Sequence, residues 1–109
     1  MLKGTLCALA LGLAFAVHAA PSMPLSGPHA NLACTNCHQG STFVAPKKET
    51  CFACHQSYSA VAKRTETMNP NPHFSHRGER ECTACHSLHG KPHFECNDCH
   101  TFAVKMKGE

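Results

Sequence analysis

The chain has 109 residues and a formal charge of +3, and its aromatic side chains are six Phe, one Tyr and no Trp. A chain of this length allows one small domain, whose apolar core is too small to be stable without covalent or metal cross-links. Its Lys and Arg residues are scattered, with adjacent pairs only at 47–48 and 63–64. This pattern excludes a basic stripe, so we expect no nucleic-acid partner.

The N-terminus has the pattern of an exported precursor. Lys3 gives it a positive start, residues 6–17 form an apolar run, and the small residues at 17–19 form a cleavage pattern. The apolar run is too short to cross a bilayer comfortably. We therefore predict a signal peptide at residues 1–19 and no membrane insertion after cleavage. Removal of Cys7 and His18 leaves eight cysteines and nine histidines in the mature chain.

Regular secondary structure is predicted to be sparse. Residues 20–28 are rich in Pro, Ser and Gly and predict a flexible N-terminal arm, followed by a single domain at 29–109. One helix is predicted at residues 58–68, with Ser57 as its cap and Asn69-Pro70 as its end. Elsewhere we expect single helical turns, irregular chain and no strands. The predicted fold is therefore mainly α with little regular secondary structure.

One short motif, Cys-x-x-Cys-His, recurs four times. It is the covalent attachment signature of haem c, because two thioethers hold the porphyrin and the adjacent His becomes an iron ligand below the ring. Its copies account for every mature cysteine, at Cys34, Cys37, Cys51, Cys54, Cys82, Cys85, Cys96 and Cys99. The four histidines that follow are predicted proximal iron ligands: His38, His55, His86 and His100.

Zinc and disulfides are the two alternatives for these cysteines. Two Cys-x-x-Cys knuckles can hold zinc, and eight cysteines in an exported chain can form a disulfide framework. Neither explains why a His directly follows the second Cys of each motif. At this His content, the chance that all four motifs have a His there by coincidence is roughly one in ten thousand. We therefore predict four covalent haems c.

Five mature histidines remain outside the motifs, at 29, 73, 76, 89 and 93, and four are needed to give every iron a His on both faces. Met68 is the one serious methionine candidate, because Met23 and Met106 lie in ends of the chain that we expect to be loose. Iron with both faces occupied favours electron transfer over catalysis, so we expect no enzymatic activity at haem.

The spacing of these histidines also indicates that the haems are close together. His73 and His76 are three residues apart, so their Cα atoms lie within roughly 10 Å of each other. We do not expect two histidines at this separation to bind opposite faces of one haem. They should bind two different haems, and His89 should likewise reach a neighbour of the haem held by His86. The haems then form a cluster that replaces the missing apolar core.

The segments His73-Phe-Ser-His76, Cys82-Thr-Ala-Cys-His86-Ser-Leu-His89 and Cys96-Asn-Asp-Cys-His100-Thr-Phe resemble the small tetrahaem cytochromes c of Shewanella type. The same module forms the haem domain of flavocytochrome c fumarate reductases. The resemblance covers residues 29–102 and implies a loose, mainly helical multihaem cytochrome c wrapped around a chain of four haems. It also implies four bis-His irons, with His29, His73, His76 and His89 as distal ligands and His93 as the spare.

From this resemblance we expect a periplasmic electron shuttle that takes electrons from a membrane quinol dehydrogenase and passes them to periplasmic terminal reductases or to an outer-membrane conduit. The alternative is the cytochrome subunit of a two-chain flavoprotein reductase that acts on fumarate or a similar unsaturated acid. A zinc-binding interaction module is a third hypothesis, from a different class. Four covalent haems with histidine ligands are the prediction shared by the first two.

Overall fold

The computed structural model describes residues 24–25, 27–40 and 43–107. Across these residues the chain forms two α-helices, four 3₁₀ turns and no strand, which confirms the predicted fold class. The elements in chain order are η1 (Gly27–His29), η2 (Cys34–Asn36), α1 (Lys48–His55), α2 (Tyr58–Arg64), η3 (Cys82–Ala84) and η4 (Glu95–Asp98). No helix of this part of the chain is long and apolar enough to span a bilayer.

Two sequence predictions fall largely outside the described residues. The signal peptide at 1–19 lies wholly outside them, as does most of the arm at 20–28. The last two residues of that arm, Gly27 and Pro28, belong to η1, which ends at His29.

Helix α2 begins where the sequence predicts and ends earlier. The Ser57 side chain caps it by accepting a hydrogen bond of 3.1 Å from the backbone N–H of Ala60. The helix ends at Arg64 rather than near residue 68. At this end the Ala62 carbonyl accepts a hydrogen bond of 2.9 Å from the side-chain amide of Asn71. This side chain therefore occupies a carbonyl that a longer helix would use.

Helix α1 was not predicted from the sequence, which suggested only a single turn around the second motif. It begins at Lys48, whose backbone N–H donates to the Glu81 carboxylate at 2.8 Å. The carboxylate satisfies one of the free amides at the helix start. Because this cap lies 33 residues away in sequence, no local pattern announces it.

The described residues contain almost no apolar core. Met106, at 9 % exposure, is the one buried hydrophobic side chain among them. The expectation that Met106 lies in a loose end is therefore wrong. Large apolar side chains elsewhere remain exposed, including Phe43 at 67 % and Phe74 at 82 %. Burial of protein side chains against one another thus stabilises this fold very little.

Ion pairs made by residues 79–81 connect three of the four motifs. Lys48, at the start of α1, donates through Nζ to Glu79 at 2.8 Å, in addition to its backbone bond to Glu81. Arg80 forms a bidentate pair with Glu95, with distances of 2.6 and 3.0 Å. Glu95 begins η4 and the 79–81 segment directly precedes η3. The segment therefore joins the second, third and fourth motifs.

Arg80→Ala should lower the melting temperature of the haem-loaded protein, because it breaks the bidentate tie to Glu95, whose side chain is only 16 % exposed. Lys63→Ala is the matched control, since it breaks an ion pair with Glu66 whose side chains are 75 % and 52 % exposed. Exposed pairs of that kind contribute about 0–1 kcal/mol. Melting can be followed by circular dichroism in the haem absorption band.

The same variant has a defined pH dependence. Hydrogen bonding from Arg80 lowers the pKa of the Glu95 carboxyl. Because the pKa is lowered on folding, the ionised carboxylate stabilises the fold at a pH above its ordinary pKa. This contribution is lost as the pH falls through the lowered pKa of the folded protein. The difference between parent and Arg80→Ala should therefore close in acid. Equal losses from both variants at neutral pH, or a difference that persists in acid, would contradict the role given to this pair.

Candidate metal centres

The four Cys-x-x-Cys-His motifs adopt closely similar local structures. In three of them the backbone N–H of the histidine donates to the carbonyl of the first cysteine, at 2.9 Å for His38, 2.8 Å for His86 and 2.9 Å for His100. The second motif forms the last five residues of α1. A single helical turn thus brings both cysteines and the histidine of each motif to one small patch of backbone.

All eight motif cysteines are free thiols, with side chains that are exposed or half-buried. Within the described residues, no group of three or more His, Cys, Asp and Glu side chains is arranged to hold a metal ion.

The histidines are arranged in pairs. Each motif histidine faces one histidine from outside the motifs, with ring centroids 6.1 or 6.2 Å apart in all four cases. The pairs are His55 with His29, His38 with His89, His86 with His73, and His100 with His76. Every histidine that the sequence analysis assigned to iron is in one of these pairs.

This spacing fits two imidazoles on opposite sides of one metal ion. An imidazole nitrogen binds a metal at about 2.0–2.1 Å, and the ring centroid lies about 1.1 Å beyond that nitrogen. Two trans ligands therefore have centroids about 6.3 Å apart. Ordinary ring contacts can have similar distances, so the stronger evidence is the one-to-one pairing of motif and non-motif histidines. The residues present fit four haem irons with two histidine ligands each.

Several of the motifs lie close together. Burial and the neighbouring Cys51 thiol raise the pKa of the Cys82 thiol to about 11, and burial raises that of Cys85, close to Cys96. Both thiols are therefore half-buried and crowded by neighbouring groups. Burial also lowers the pKa of His86, and His55 contributes to the shift. The second, third and fourth motifs therefore adjoin.

Two of the paired histidines are oriented by contacts that the sequence analysis missed. His38 forms a hydrogen bond of 2.9 Å through Nδ1 to the Val44 carbonyl. His73 forms one of 3.0 Å through Nδ1 to the Thr65 hydroxyl. A bond at Nδ1 leaves Nε2 available for a metal. The sequence predicts neither contact, because a backbone carbonyl has no sequence signature and Thr65 is predicted only to lie within a helix.

The two surplus candidates lie outside the pairs. His93 binds Asp98 through Nε2 at 2.8 Å, and its side chain is 61 % exposed. Met68 is 37 % exposed, and each of the four motif histidines faces another histidine. Neither His93 nor Met68 belongs to one of these pairs.

Four such motifs, each with its histidine facing a second histidine, define a multihaem cytochrome c. The chain matches the family model for cytochrome c3 over residues 28–101, and it belongs to that family. It is therefore a small multihaem cytochrome c module of a family of electron carriers with covalently bound haem c.

The chain is also similar to the probable fumarate reductase Ifc3 of Shewanella frigidimarina, with 34 % identity over 96 residues. The match covers 87 % of this chain and 13 % of that protein. The chain thus spans only a small part of the length of this relative. No solved structure matches the chain significantly.

His89→Ala should leave one iron without its second histidine, because His89 is the partner of His38. The expected result is a high-spin or water-bound haem in the absorption spectrum and a shifted reduction potential for one of the haems. His93→Ala is the matched control, four residues further along the chain, and should leave the spectrum unchanged. If His93→Ala opens an iron and His89→Ala does not, the assignment of the distal ligands is wrong.

Proposed function

We propose that this chain is a periplasmic electron-transfer protein that carries four covalently attached haems c with bis-His irons. The observation that carries the proposal is the pairing of every motif histidine with one further histidine at 6.1–6.2 Å. Four motifs give four attachment sites, and four pairs give both axial ligands at each of them.

The residues divide the work in a simple way. The eight motif cysteines hold the haems covalently, and the paired histidines occupy the positions above and below each iron. Bound haem supplies one-electron redox chemistry. Because the histidines fill both axial positions, neither oxygen nor a substrate has a free position on the metal. We therefore infer that the chain carries electrons and does not itself transform a substrate.

The proposed location and partners follow from the N-terminal pattern and the family. Cleavage after Ala19 would release the mature chain into the periplasm, where a membrane quinol dehydrogenase would donate electrons and terminal reductases would accept them. The formal charge of the whole chain is +3, including Lys3 of the predicted signal peptide. Reduction of each haem makes the net charge of the protein about one unit more negative, so the affinity for a charged partner changes with redox state. Such a change helps a carrier to bind and release.

A second function is favoured by the similarity to a probable fumarate reductase. In this alternative the chain is the cytochrome subunit of a two-chain flavoprotein reductase for fumarate or a similar unsaturated acid. The match covers 13 % of that relative. In this alternative the flavin and the catalytic residues belong to the partner chain. Docking to this partner would be tight and stable.

Carbon monoxide and a reductive titration test the proposed function without a known partner. The purified protein should take up four electrons per chain from dithionite. Its reduced spectrum should not change under carbon monoxide, because histidines block both faces of every iron. The His89→Ala variant is the positive control and should bind carbon monoxide at one haem. Stoichiometric binding by the parent protein would contradict the proposal and favour catalysis at haem.

Purification from native cells at low and high salt separates the shuttle from the subunit. At high salt a shuttle should elute alone, because salt screens its weak association with charged partners. A flavoprotein that remains attached at fixed stoichiometry at high salt would instead support the reductase subunit.

A further inference from the structure

Thr65 and Asn71 form a hydrogen-bonded network around His73, immediately after the end of α2. The Thr65 hydroxyl lies 2.7 Å from Asn71 Oδ1 and 3.0 Å from His73 Nδ1. Asn71 is fixed in turn, because its Nδ2 donates to the Ala62 carbonyl at 2.9 Å and its Oδ1 accepts from the backbone N–H of His73 at 3.0 Å. These contacts determine which atom of the Asn71 amide is the oxygen.

The network also determines the direction of the hydrogen bond to His73. Thr65 has one hydroxyl proton, and Asn71 Oδ1 is its nearest acceptor. The other contacts of the hydroxyl besides His73 are the carbonyls of Val61 and Ala62, which also only accept. The imidazole is therefore the group that donates, from Nδ1–H to the Thr65 oxygen. Its Nε2 is then unprotonated and free to bind a metal.

The orientation of the His73 ring is consistent with this role. Its plane lies within 4° of the plane of His86, whereas His76 and His100 are inclined at 66°. On a haem iron, two parallel imidazoles would interact with the same one of the two iron d orbitals that can form π bonds with them, and the energies of these two orbitals would then differ. Two perpendicular imidazoles would interact with one orbital each and leave the two energies nearly equal. The angle between the rings would therefore affect the electron paramagnetic resonance spectrum of the ferric haem.

We propose that Thr65, held in place by Asn71, is a positioning residue that sets the tautomer and ring plane of His73 and lowers the reduction potential of the haem between His73 and His86. This rests on the proposed ligation of iron by that pair. A hydrogen bond from Nδ1–H makes an imidazole more basic and a stronger donor to the metal, which favours the ferric state. The corresponding contact of His38 goes to a backbone carbonyl, so of these two only the Thr65 contact can be removed by substitution.

Thr65→Val tests the proposal, because it keeps the shape of the side chain and removes the hydroxyl. One of the four reduction potentials should shift upwards, and one ferric resonance should change, since the His73 ring is no longer held. Thr65→Ser retains the hydroxyl and should restore both values. Thr65→Ala gives the same measurement without the branched side chain if the valine variant does not fold.

Ser57→Ala is the structural control, since Ser57 caps the other end of the same helix and lies outside the His73 network. It should lower the melting temperature by loss of the cap and leave all four potentials unchanged. A purely structural role for Thr65 would give the same result for Thr65→Val, and this would overturn the proposal.

His73→Ala separates this inference from the proposed function. If His73 is an iron ligand, the alanine variant should bind carbon monoxide at one haem. No binding would mean that the ligation itself is wrong. Binding by His73→Ala, combined with unchanged potentials and resonances in Thr65→Val, would mean that only the positioning role is wrong.

Discussion

The pairing of histidines is the interaction on which the rest of this structure depends. Each pair joins residues far apart in sequence, as His38 and His89 do, and places them at the distance of two ligands on one metal. The described residues bury one hydrophobic side chain, which leaves little else to offset the entropy of ordering the chain. Ligand binding to the metal then contributes directly to the free energy of folding, as in other small metal-dependent domains. In our account the haems form the core.

Polar contacts around the pairs complement this arrangement. Residues 79–81 connect the second, third and fourth motifs through Lys48 and Glu95, and so restrict how far their haems can separate. Thr65 and the Val44 carbonyl act on single histidines. Electron transfer requires haems that are close together and potentials that are tuned individually. The ion pairs bear on the first requirement and the hydrogen bonds to Nδ1 on the second.

The four Cys-x-x-Cys-His motifs could be identified in the sequence because each is a local chemical unit of five residues. The start of α2 was also local, since Ser57 is its cap. The end of α2 and the whole of α1 were not predicted. Both involve side chains from outside the helix: Asn71 binds the Ala62 carbonyl from nine residues further along the chain, and Glu81 binds the Lys48 amide from 33 residues away. Which distal histidine faces which motif could not be predicted either, because it depends on the three-dimensional path of the chain.

Anomalous diffraction at the iron absorption edge, from crystals of the haem-loaded protein, would locate each iron relative to the histidine pairs. Bis-His ligation of four haems predicts four iron peaks, each between the two Nε2 atoms of one pair: His29 and His55, His38 and His89, His73 and His86, and His76 and His100. Fewer than four peaks would contradict it. So would an iron whose axial ligand is Met68, His93 or water.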